Sequence, residues 1–298
     1  MLQYVIKYRR DYTMTDEMLE KLFPFKRNYF ETLNHRIHYV DEGKGPAIVL
    51  FHVCPMWSFS FRDLIKELSS DHRVIAFDLP GFGLSNRPDD FDYTLNGFIN
   101  LTELFLNFLD LEEMTLVLHG WGGTVGMGYA VEHPHQIKSL IIMNSLGNSS
   151  YIPPLRLRLC RLPFIGPKLV SAFKLLQMGR VKPQSREVKE AYAYPYRDPA
   201  AFRVLQRFLE DIPTVPEADS VQRMLEIETG MWIFRSTPAL ILWATRDWLY
   251  PLRLLKFWRH FLPDAQVHKI PRAGRYIQED APEQLRIIIR EFMKQYHL

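Results

Sequence analysis

Cysteine and net charge are both scarce in this sequence. Only two of the 298 residues are cysteines, Cys54 and Cys160, and neither belongs to a Cys-x-x-Cys or Cys/His cluster. A disulfide framework and a zinc site are therefore not expected, and we expect no other metal or cofactor. The formal net charge is +3 and long Lys/Arg runs are missing, which argues against a nucleic-acid partner.

Long apolar runs are missing as well. None approaches the ~20 residues that a membrane-spanning helix needs. The stretch 1–19 is charged throughout and lacks the apolar core of a signal peptide. These absences predict a cytoplasmic protein without a transmembrane segment. The composition, 47% hydrophobic and 24% charged, is that of a globular protein.

Apolar runs of strand length alternate with helical patterns along most of the chain. Continuous apolar runs indicate strands that are buried on both faces, as in a parallel sheet. We predict such strands at 47–52, 73–78, 114–119, 138–144, 239–244 and 266–270, after two short strands at 30–33 and 36–40. Helices are predicted at 59–68, 93–109, 121–133 and 282–296, with Thr94 as the cap of the second. The alternation predicts a mostly parallel, doubly wound α/β sheet.

Residues 148–235 interrupt this alternation. The stretch holds prolines at 153, 154, 163, 167, 195 and 213 together with helical patterns and no convincing strand. We therefore predict a helical cap at 148–235, inserted into a core formed by 1–147 and 236–298. Such a cap would roof a pocket above the carboxyl ends of the strands, where open α/β sheets bind ligands.

A strand, a glycine-rich turn and a helix meet near the middle of the chain. The segment His119-Gly-Trp-Gly-Gly123 directly follows one predicted strand and leads into a predicted helix. This context is typical of a nucleophile elbow, the sharp turn that exposes a catalytic side chain above a sheet. The nucleophile position of that pattern falls on Gly120, which has no side chain.

Further segments match a known family. His52-Val-Cys-Pro55 stands where haloalkane dehalogenases carry His-Gly-Asn-Pro, and the turn 78–85 matches their Asp-x-x-Gly-x-Gly-x-Ser. The segment ending at Asp247 matches their acid-bearing strand, and Ala273-Gly-Arg275 matches their Ala-Gly-His. From about residue 25 onward the chain resembles haloalkane dehalogenases of the α/β-hydrolase superfamily. Segments 127–130, 154–163 and 208–213 resemble the third subfamily, which includes the β-lactone decarboxylases of bacterial olefin biosynthesis.

This resemblance implies a triad whose members are partly replaced. In the family an Asp attacks carbon to form an ester, a His activates water to hydrolyse it, and an acid orients the His. The corresponding positions here are Gly120, Arg275 and Asp247. A guanidinium stays protonated and cannot accept a proton, so the family's hydrolysis is not expected. Glycine at the elbow also avoids the strain of about 1–3 kcal/mol that another residue stores there.

Other parts of the family's site are expected to persist. The resemblance implies that the backbone N–H groups of Cys54 and Trp121 form an oxyanion hole, which suits an anion or a carbonyl oxygen. We expect Arg275 to form an ion pair with Asp247 in place of the histidine. The remaining pocket candidates are His52, Trp57, Trp248 and Tyr276. His52 and His119 are interpreted as structural, at strand ends.

Three functions stay open on the sequence alone. The first is a pseudo-hydrolase that binds a small apolar or carbonyl-bearing ligand, or a partner protein such as other members of a biosynthetic assembly. The second is a lyase, cyclase or isomerase, for example in lipid, olefin or polyketide-type biosynthesis, which uses the oxyanion donors and Arg275. The third is a hydrolase with a displaced nucleophile such as Cys54. The basic, apolar stretch 156–163 is interpreted as a cap helix rather than a peripheral membrane contact.

Overall fold

An eight-stranded sheet forms the centre of the computed structural model, which describes residues 14–160, 179–212 and 219–298. The strands follow the order β1-β2-β4-β3-β5-β6-β7-β8. Only the pairs β1–β2 and β2–β4 are antiparallel. The strands are β1 Asn28–Glu31, β2 Arg36–Glu42, β3 Ala47–Phe51, β4 Arg73–Phe77, β5 Met114–His119, β6 Ile137–Met143, β7 Ala239–Ala244 and β8 Gln266–Ile270. The predicted α/β fold with a mostly parallel sheet is confirmed.

Strands β3 to β8 lie where the apolar runs predicted them, whereas β1 begins and ends two residues earlier than the predicted stretch 30–33. Every residue of β5 and of β7 is buried, which matches runs of apolar side chains that face helices on both sides of a parallel sheet. The edge strand β8 has mostly partly exposed residues and correspondingly carries Gln266, His268 and Lys269. Strands buried on both faces thus have continuous runs of apolar residues, whereas the partly exposed edge strand mixes apolar and polar residues.

Helices cover the sheet and fill the long segment between β6 and β7. In the described residues they are α1 Asp16–Leu22, α2 Arg62–Leu68, α3 Leu95–Leu109, α4 Gly120–Glu132, α5 Leu155–Leu159, α6 Arg186–Ala193, α7 Pro199–Asp211, α8 Asp219–Gly230, α9 Arg253–Phe261, α10 Ile277–Asp280 and α11 Pro282–Gln295. Thr94 caps α3 as predicted, because its side chain accepts a hydrogen bond from the N–H of Gly97 at 3.2 Å. Helices α1, α9 and α10 were not predicted.

The described parts of the inserted segment contain helices α5 to α8 and short 3-10 turns at Tyr194–Arg197 and Met231–Phe234, joined by irregular stretches such as 148–154. The boundaries at 148 and 235 stay a prediction. Residues 161–178 and 213–218 lie outside the described residues, and with them Pro163, Pro167, Pro213 and the last three residues of the stretch 156–163. Within the described ranges, none of the helices has the length and apolar character needed to cross a membrane.

The glycine-rich turn 78–85 is built around one buried carboxylate. Asp78 accepts hydrogen bonds from the N–H groups of Ser58 and Leu84 at 2.7 and 2.8 Å, and lies 2.8 Å from Nδ1 of the equally buried His38. Burial raises the pKa of Asp78, but His38 and the hydrogen bonds outweigh burial, so its pKa lies below the ordinary value. A Cβ at Gly83 would lie 2.2 Å from the Asp78 carboxylate, so only glycine fits there. This turn fixes the loop after β4 beside the candidate site.

Candidate functional site

The turn between β5 and α4 has the geometry of an elbow. His119 is still extended, with φ −118° and ψ 123°, whereas Gly120 has a φ of +59°. Glycine adopts this left-handed conformation freely, while other residues lose about 1–2 kcal/mol there. The carbonyl of Gly120 accepts hydrogen bonds from Ser145 Oγ at 2.9 Å and from the N–H of Leu146 at 3.4 Å. The backbone therefore keeps the form of an elbow although its side chain is missing.

The space beside Gly120 is occupied by Val53. A Cβ built on Gly120 would lie 2.1 Å from Val53 Cγ2 and 2.5 Å from Val53 Cβ. Val53 is fully buried, and its branched side chain has few alternative rotamers. Val53 also stands where the family resemblance places a glycine, in the segment His52-Val-Cys-Pro55. The sequence reasoning did not recognise what a valine in place of that glycine does: Val53 fills the space that a side chain at position 120 would need.

The expected ion pair between Asp247 and Arg275 does not form. The loops that carry the two residues are neighbours, since the N–H of Arg246 donates to the carbonyl of Ala273 at 2.9 Å. However, Arg275 Nη2 donates to the carbonyl oxygen of Cys54, and no Arg275 nitrogen lies within 4 Å of the Asp247 carboxylate. The partner of the Arg275 guanidinium is thus the backbone carbonyl of Cys54, in the loop after β3, and not the Asp247 carboxylate. The predicted ion pair was wrong.

Asp247 is held by the backbone instead. Its Oδ1 accepts hydrogen bonds from the N–H groups of Leu249 and Tyr250 at 2.9 and 3.2 Å, while its Oδ2 is buried and bonds to none of the described residues. Burial raises the pKa of Asp247, and the nearby charge of Arg275 opposes that rise. The acid of the family triad is thus retained as a side chain that orders its own loop.

A small apolar cavity lies at the carboxyl ends of the strands. Its volume is about 30 Å³, which is room for one or two water molecules. Its described lining combines aliphatic and aromatic side chains with a few polar groups: Cys54, Pro55, Trp121, Leu146, Tyr151, Leu157, Leu205, Phe208, Leu209, Ile212, Leu249, Tyr250 and Arg275. Leu157 and the group from Leu205 to Ile212 come from the inserted segment, so that segment closes the cavity from above.

The lining includes N–H donors without partners. The indole N–H of Trp121 and the Nε of Arg275 are buried and make no hydrogen bond within the described part of the chain. The backbone N–H of Cys54 has no partner there either, and that of Trp121 belongs to the first turn of α4, where intrahelical partners are missing. The oxyanion role of Cys54 and Trp121 stays a prediction, but both residues do line the cavity.

Four predicted pocket residues lie outside the described lining. Trp57 is fully buried in an aromatic cluster, stacked on Phe59 with ring centroids 5.4 Å apart. Tyr276 packs edge-on against Tyr192 at 5.3 Å. Trp248 is half-buried, and its indole nitrogen lies near Gly179 and Arg275, next to the described lining. The pocket role of Trp57, Trp248 and Tyr276 stays a prediction.

His52 is the fourth of these residues, and it serves the backbone. Its Nε2 accepts a hydrogen bond from the N–H of Leu79 at 3.0 Å, and its Nδ1 lies 3.4 Å from the carbonyl of Val53. Because a backbone N–H can only donate, Nε2 must be unprotonated. Burial lowers the pKa of His52, which keeps the ring neutral. His52 therefore joins the loops after β3 and β4 and takes no part in the cavity lining.

His119 is buried beneath the elbow. Its Nδ1 lies 2.9 Å from Nε2 of Gln278, a residue of α10 that the sequence did not single out. Burial lowers the pKa of His119 to about 3, with the charge of Arg275 acting in the same direction. A histidine that resists protonation so strongly cannot serve as a general base near neutral pH.

Cys54 is also poorly suited to catalysis. Burial raises the pKa of its thiol above the ordinary value, although the charge of Arg275 acts in the opposite direction. The described residues bring no histidine into hydrogen-bond contact with its sulfur. Nucleophilic cysteines need a neighbouring base or a lowered pKa. The structure therefore gives Cys54 neither of the two means of activation.

A polar network missed by the sequence reasoning ties α10 to its surroundings. Arg62 makes two hydrogen bonds to Glu279, at 2.5 and 2.9 Å, and the hydroxyl of Tyr192 donates to the same carboxylate at 2.7 Å. Asp280 accepts from the N–H groups of Lys182 and Gly274, both at 2.8 Å. Through Tyr192 and Lys182 the network connects the inserted segment with the loop that carries Arg275. A distant Arg–Glu pair leaves no local sequence pattern that could have predicted it.

Among the described residues, one cluster has ligand atoms at distances suited to a metal ion. Glu103, Glu132 and His133 bring one ligand atom each within 4.8 Å of one another. These groups already pair with neighbours: His133 lies 3.2 Å from Glu103, and Arg223 bonds to Glu132. The positive charge of Arg223 beside the cluster opposes cation binding, so the site does not fit a metal.

Comparison with known proteins decides the family. The family model described as "alpha/beta hydrolase fold" matches residues 46–282. The chain belongs to the α/β hydrolase fold family. Among family members, a cis-3-alkyl-4-alkyloxetan-2-one decarboxylase of Shewanella oneidensis is 37% identical over 93% of this chain and 91% of its own length. A relative of the same name from Xanthomonas campestris is 31% identical over 86% and 91% of the two chains.

Haloalkane dehalogenases are similar in sequence and in structure. Haloalkane dehalogenase 2 of Mycobacterium tuberculosis is 27% identical over 91% of this chain and 96% of its own. The crystal structure of the haloalkane dehalogenase DatA from Agrobacterium tumefaciens superposes with a TM-score of 0.82 at 24% identity, covering 91% of this chain and 97% of that one. The predicted resemblance to dehalogenases and to β-lactone decarboxylases is confirmed. An oxetan-2-one is a β-lactone.

Proposed function

We propose that this α/β-hydrolase-fold chain is a non-catalytic binding protein whose ligand is a small apolar or carbonyl-bearing molecule. The observation that carries the proposal is the position of Val53. Its side chain occupies the volume that any nucleophile at position 120 would require. A site that has lost a side chain could regain it by one substitution, whereas this site has been filled.

Each step of the family's hydrolysis lacks its chemical group here. Gly120 offers no atom that could attack carbon. Arg275 cannot accept the proton of a water molecule, and its Nη2 is bonded to the Cys54 carbonyl. Asp247, which would orient a histidine, bonds to backbone N–H groups. Because triad members act as a unit, the loss of two of them removes the route to covalent hydrolysis.

The cavity favours a ligand with one polar end. Leu146, Leu205, Phe208 and Ile212 contribute only apolar surface, and Trp121 contributes an unpaired N–H group. An unpaired buried donor costs about 1–3 kcal/mol, which a ligand oxygen would recover. The volume of about 30 Å³ limits the bound part of such a ligand to a few heavy atoms. A small carbonyl compound fits both conditions.

A second candidate function is supported by the names of the relatives. Two of them, at 37% and 31% identity, are decarboxylases of cis-3-alkyl-4-alkyloxetan-2-one. In that chemistry one C–O and one C–C bond of the ring break, and carbon dioxide and an alkene form without water. Such a ring opening needs stabilisation of a developing carboxylate, and N–H donors with a nearby guanidinium would provide it. Arg275→Ala should then abolish alkene formation while the protein stays folded.

The combined variant Val53→Gly, Gly120→Asp and Arg275→His tests the proposed function. If Val53 fills a former nucleophile site, the triple variant should attack a short haloalkane to give an ester and a halide ion and then hydrolyse the ester, so that halide and alcohol are released and can be measured. The variant Gly120→Asp with Arg275→His, which keeps Val53, should not. Val53→Ala in place of Val53→Gly is the matched control, because the Cβ that it retains lies 2.5 Å from the new Cβ.

Turnover by the wild-type chain decides between the two candidates and a hydrolase. Incubation with haloalkanes, esters and a cis-3-alkyl-4-alkyloxetan-2-one should give no product at ordinary enzyme rates of about 1–10³ s⁻¹. Release of carbon dioxide and an alkene that Arg275→Ala abolishes would replace the binding function with the decarboxylase. Release of an alcohol or a hydroxy acid at such rates would contradict both.

A further inference from the structure

A second, larger depression lies on the outer surface between α8 and α9. Its volume is about 520 Å³, within the range of about 300–1,000 Å³ typical of ligand sites. Its described lining is Asn148, Leu225, Glu228, Thr229, Trp232, Arg253, Lys256, Phe257, His260 and Phe261, which we call the α8–α9 groove. None of these residues lines the cavity at Trp121 and Arg275, so the groove is a separate site.

The floor of the α8–α9 groove is apolar and exposed. Trp232 and Leu225 are each 43% exposed, and Phe257 and Phe261 lie beside them. The Trp232 ring is held edge-on between His260 and Phe261, with centroid distances of 4.9 Å to both. An indole fixed in this way presents apolar area without a large loss of side-chain entropy on binding. The floor is therefore ready to receive a hydrocarbon chain.

The rim of the groove is basic. Arg253 and Lys256 project from α9, and the guanidinium of Arg235 lies 5.7 Å from the centre of the Trp232 ring. These three side chains make no ion pair within 4 Å among the residues that the structure describes. The acidic member of the lining, Glu228, accepts hydrogen bonds from the N–H and hydroxyl of Ser149 at 3.3 and 2.7 Å and keeps its negative charge. Arg235, Arg253 and Lys256 outnumber this one carboxylate, so the described groove has an excess of positive charge.

We propose that the α8–α9 groove binds a single-chain anionic amphiphile, with its alkyl chain on the Leu225–Trp232–Phe257 floor and its anionic head at Arg253 and Lys256. A bilayer is a flat surface and would not fill a concave groove of this volume, so the proposal commits to a monomeric ligand. The inference stands on surface residues and does not rest on the proposed function of the inner cavity. A fatty-acid carboxylate and a long-chain alkyl phosphate share the required chemistry.

Titration with dodecanoate below its micelle concentration tests the groove, with calorimetry on the full chain as the readout. Trp232→Ala removes apolar contact, and Arg253→Glu with Lys256→Glu reverses the rim charge; each should weaken binding about tenfold or more. Ile287→Ser and Lys44→Glu are the matched controls, an exposed apolar residue on α11 and an exposed lysine near β3. Both controls should bind within about twofold of the wild type.

Comparison ligands separate the alternatives. Dodecyl phosphate should bind as dodecanoate does, whereas dodecanol, which lacks the charge, should bind at least about tenfold more weakly. Equal binding of dodecanol and dodecanoate would remove the role of the basic rim and overturn the proposal. Binding to phosphatidylglycerol vesicles without binding to monomeric dodecanoate would assign the surface to a membrane instead. Equal losses in the groove and control variants would also overturn it.

Discussion

At the scale of single residues, Val53 and Gly120 form a steric pair. Gly120→Ala should destabilise the protein by about 2–5 kcal/mol, the sum of the left-handed backbone strain and overpacking against Val53. In a Val53→Gly background the same substitution should cost only about 1–2 kcal/mol, because only the strain remains. Urea denaturation of the four proteins in this double-mutant cycle measures the coupling. Additive effects of the two substitutions would show that the side chains do not compete for space.

Cys54 provides a second test at the residue scale. Since burial raises the pKa of the thiol, it should remain unlabelled by iodoacetamide at neutral pH in the folded protein and react in urea. Intact mass spectrometry of a Cys160→Ala variant isolates the Cys54 adduct. Rapid labelling of the native chain would revive the hypothesis of a displaced nucleophile.

The residue scale also shows where sequence reasoning failed. The expected Asp247–Arg275 pair rested on the family resemblance, which places the two residues at the acid and histidine positions of one triad, and on their opposite charges. In the structure the N–H groups of Leu249 and Tyr250 lie within three residues of Asp247 and satisfy it locally. Partners that are close along the chain cost little entropy, so the two N–H groups compete well with a distant ion pair for Asp247. Arg275 instead donates to the carbonyl of Cys54, which is far away along the chain, and neither partner can be anticipated from the charges in the sequence.

At the scale of elements, the Arg62–Glu279 pair should determine how firmly α10 is held. The two side chains are only 12% and 10% exposed, so removing one leaves the other charge largely buried. Arg62→Met should lower the free energy of unfolding by about 3 kcal/mol. Arg62→Met combined with Glu279→Gln should cost less than the sum of the two single changes, measured by urea denaturation. If the double variant loses as much free energy of unfolding as the two single variants lose together, the two side chains are not coupled.

Elements were predictable where one physical cause dominates. Burial on both faces demands continuous apolar runs, so β3 to β7 could be found from the sequence, and a threonine cap indicated the start of α3. The amphipathic helix α9 was missed because its nine residues follow a loop directly and carry no capping side chain. The small helix α10 was missed because its polar residues are fixed by distant partners. Short elements stabilised by tertiary contacts leave little trace in a local pattern.

At the scale of the whole molecule, buried neutral histidines should make stability depend on pH. The folded-state pKa of His119 is about 3, below its ordinary value of 6.5. The unfolded chain therefore takes up a proton below about pH 6.5 that the folded chain refuses. The titration of His119 should therefore lower the free energy of unfolding by about 1.4 kcal/mol per pH unit as the pH falls from 6 to 4.

The variant His119→Gln isolates this contribution. Its free energy of unfolding, measured by urea denaturation at several pH values, should fall less steeply below pH 6 than that of the wild type. The difference in slope is the relevant quantity, because the variant also changes the contact with Gln278 and thus the absolute stability. Parallel slopes for the two proteins would mean that His119 titrates alike in the folded and unfolded chains.

The side chain of Val53 also restricts the order in which substitutions at positions 53 and 120 can be accepted. Restoring an attacking group at position 120 before removing Val53 produces an overpacked turn, and removing Val53 first leaves a void beside a glycine that gains nothing from it. Neither intermediate improves folding or chemistry. Under the proposed function, an attacking side chain at position 120 and a smaller residue at position 53 would therefore have to arrive together, because neither substitution brings a benefit alone.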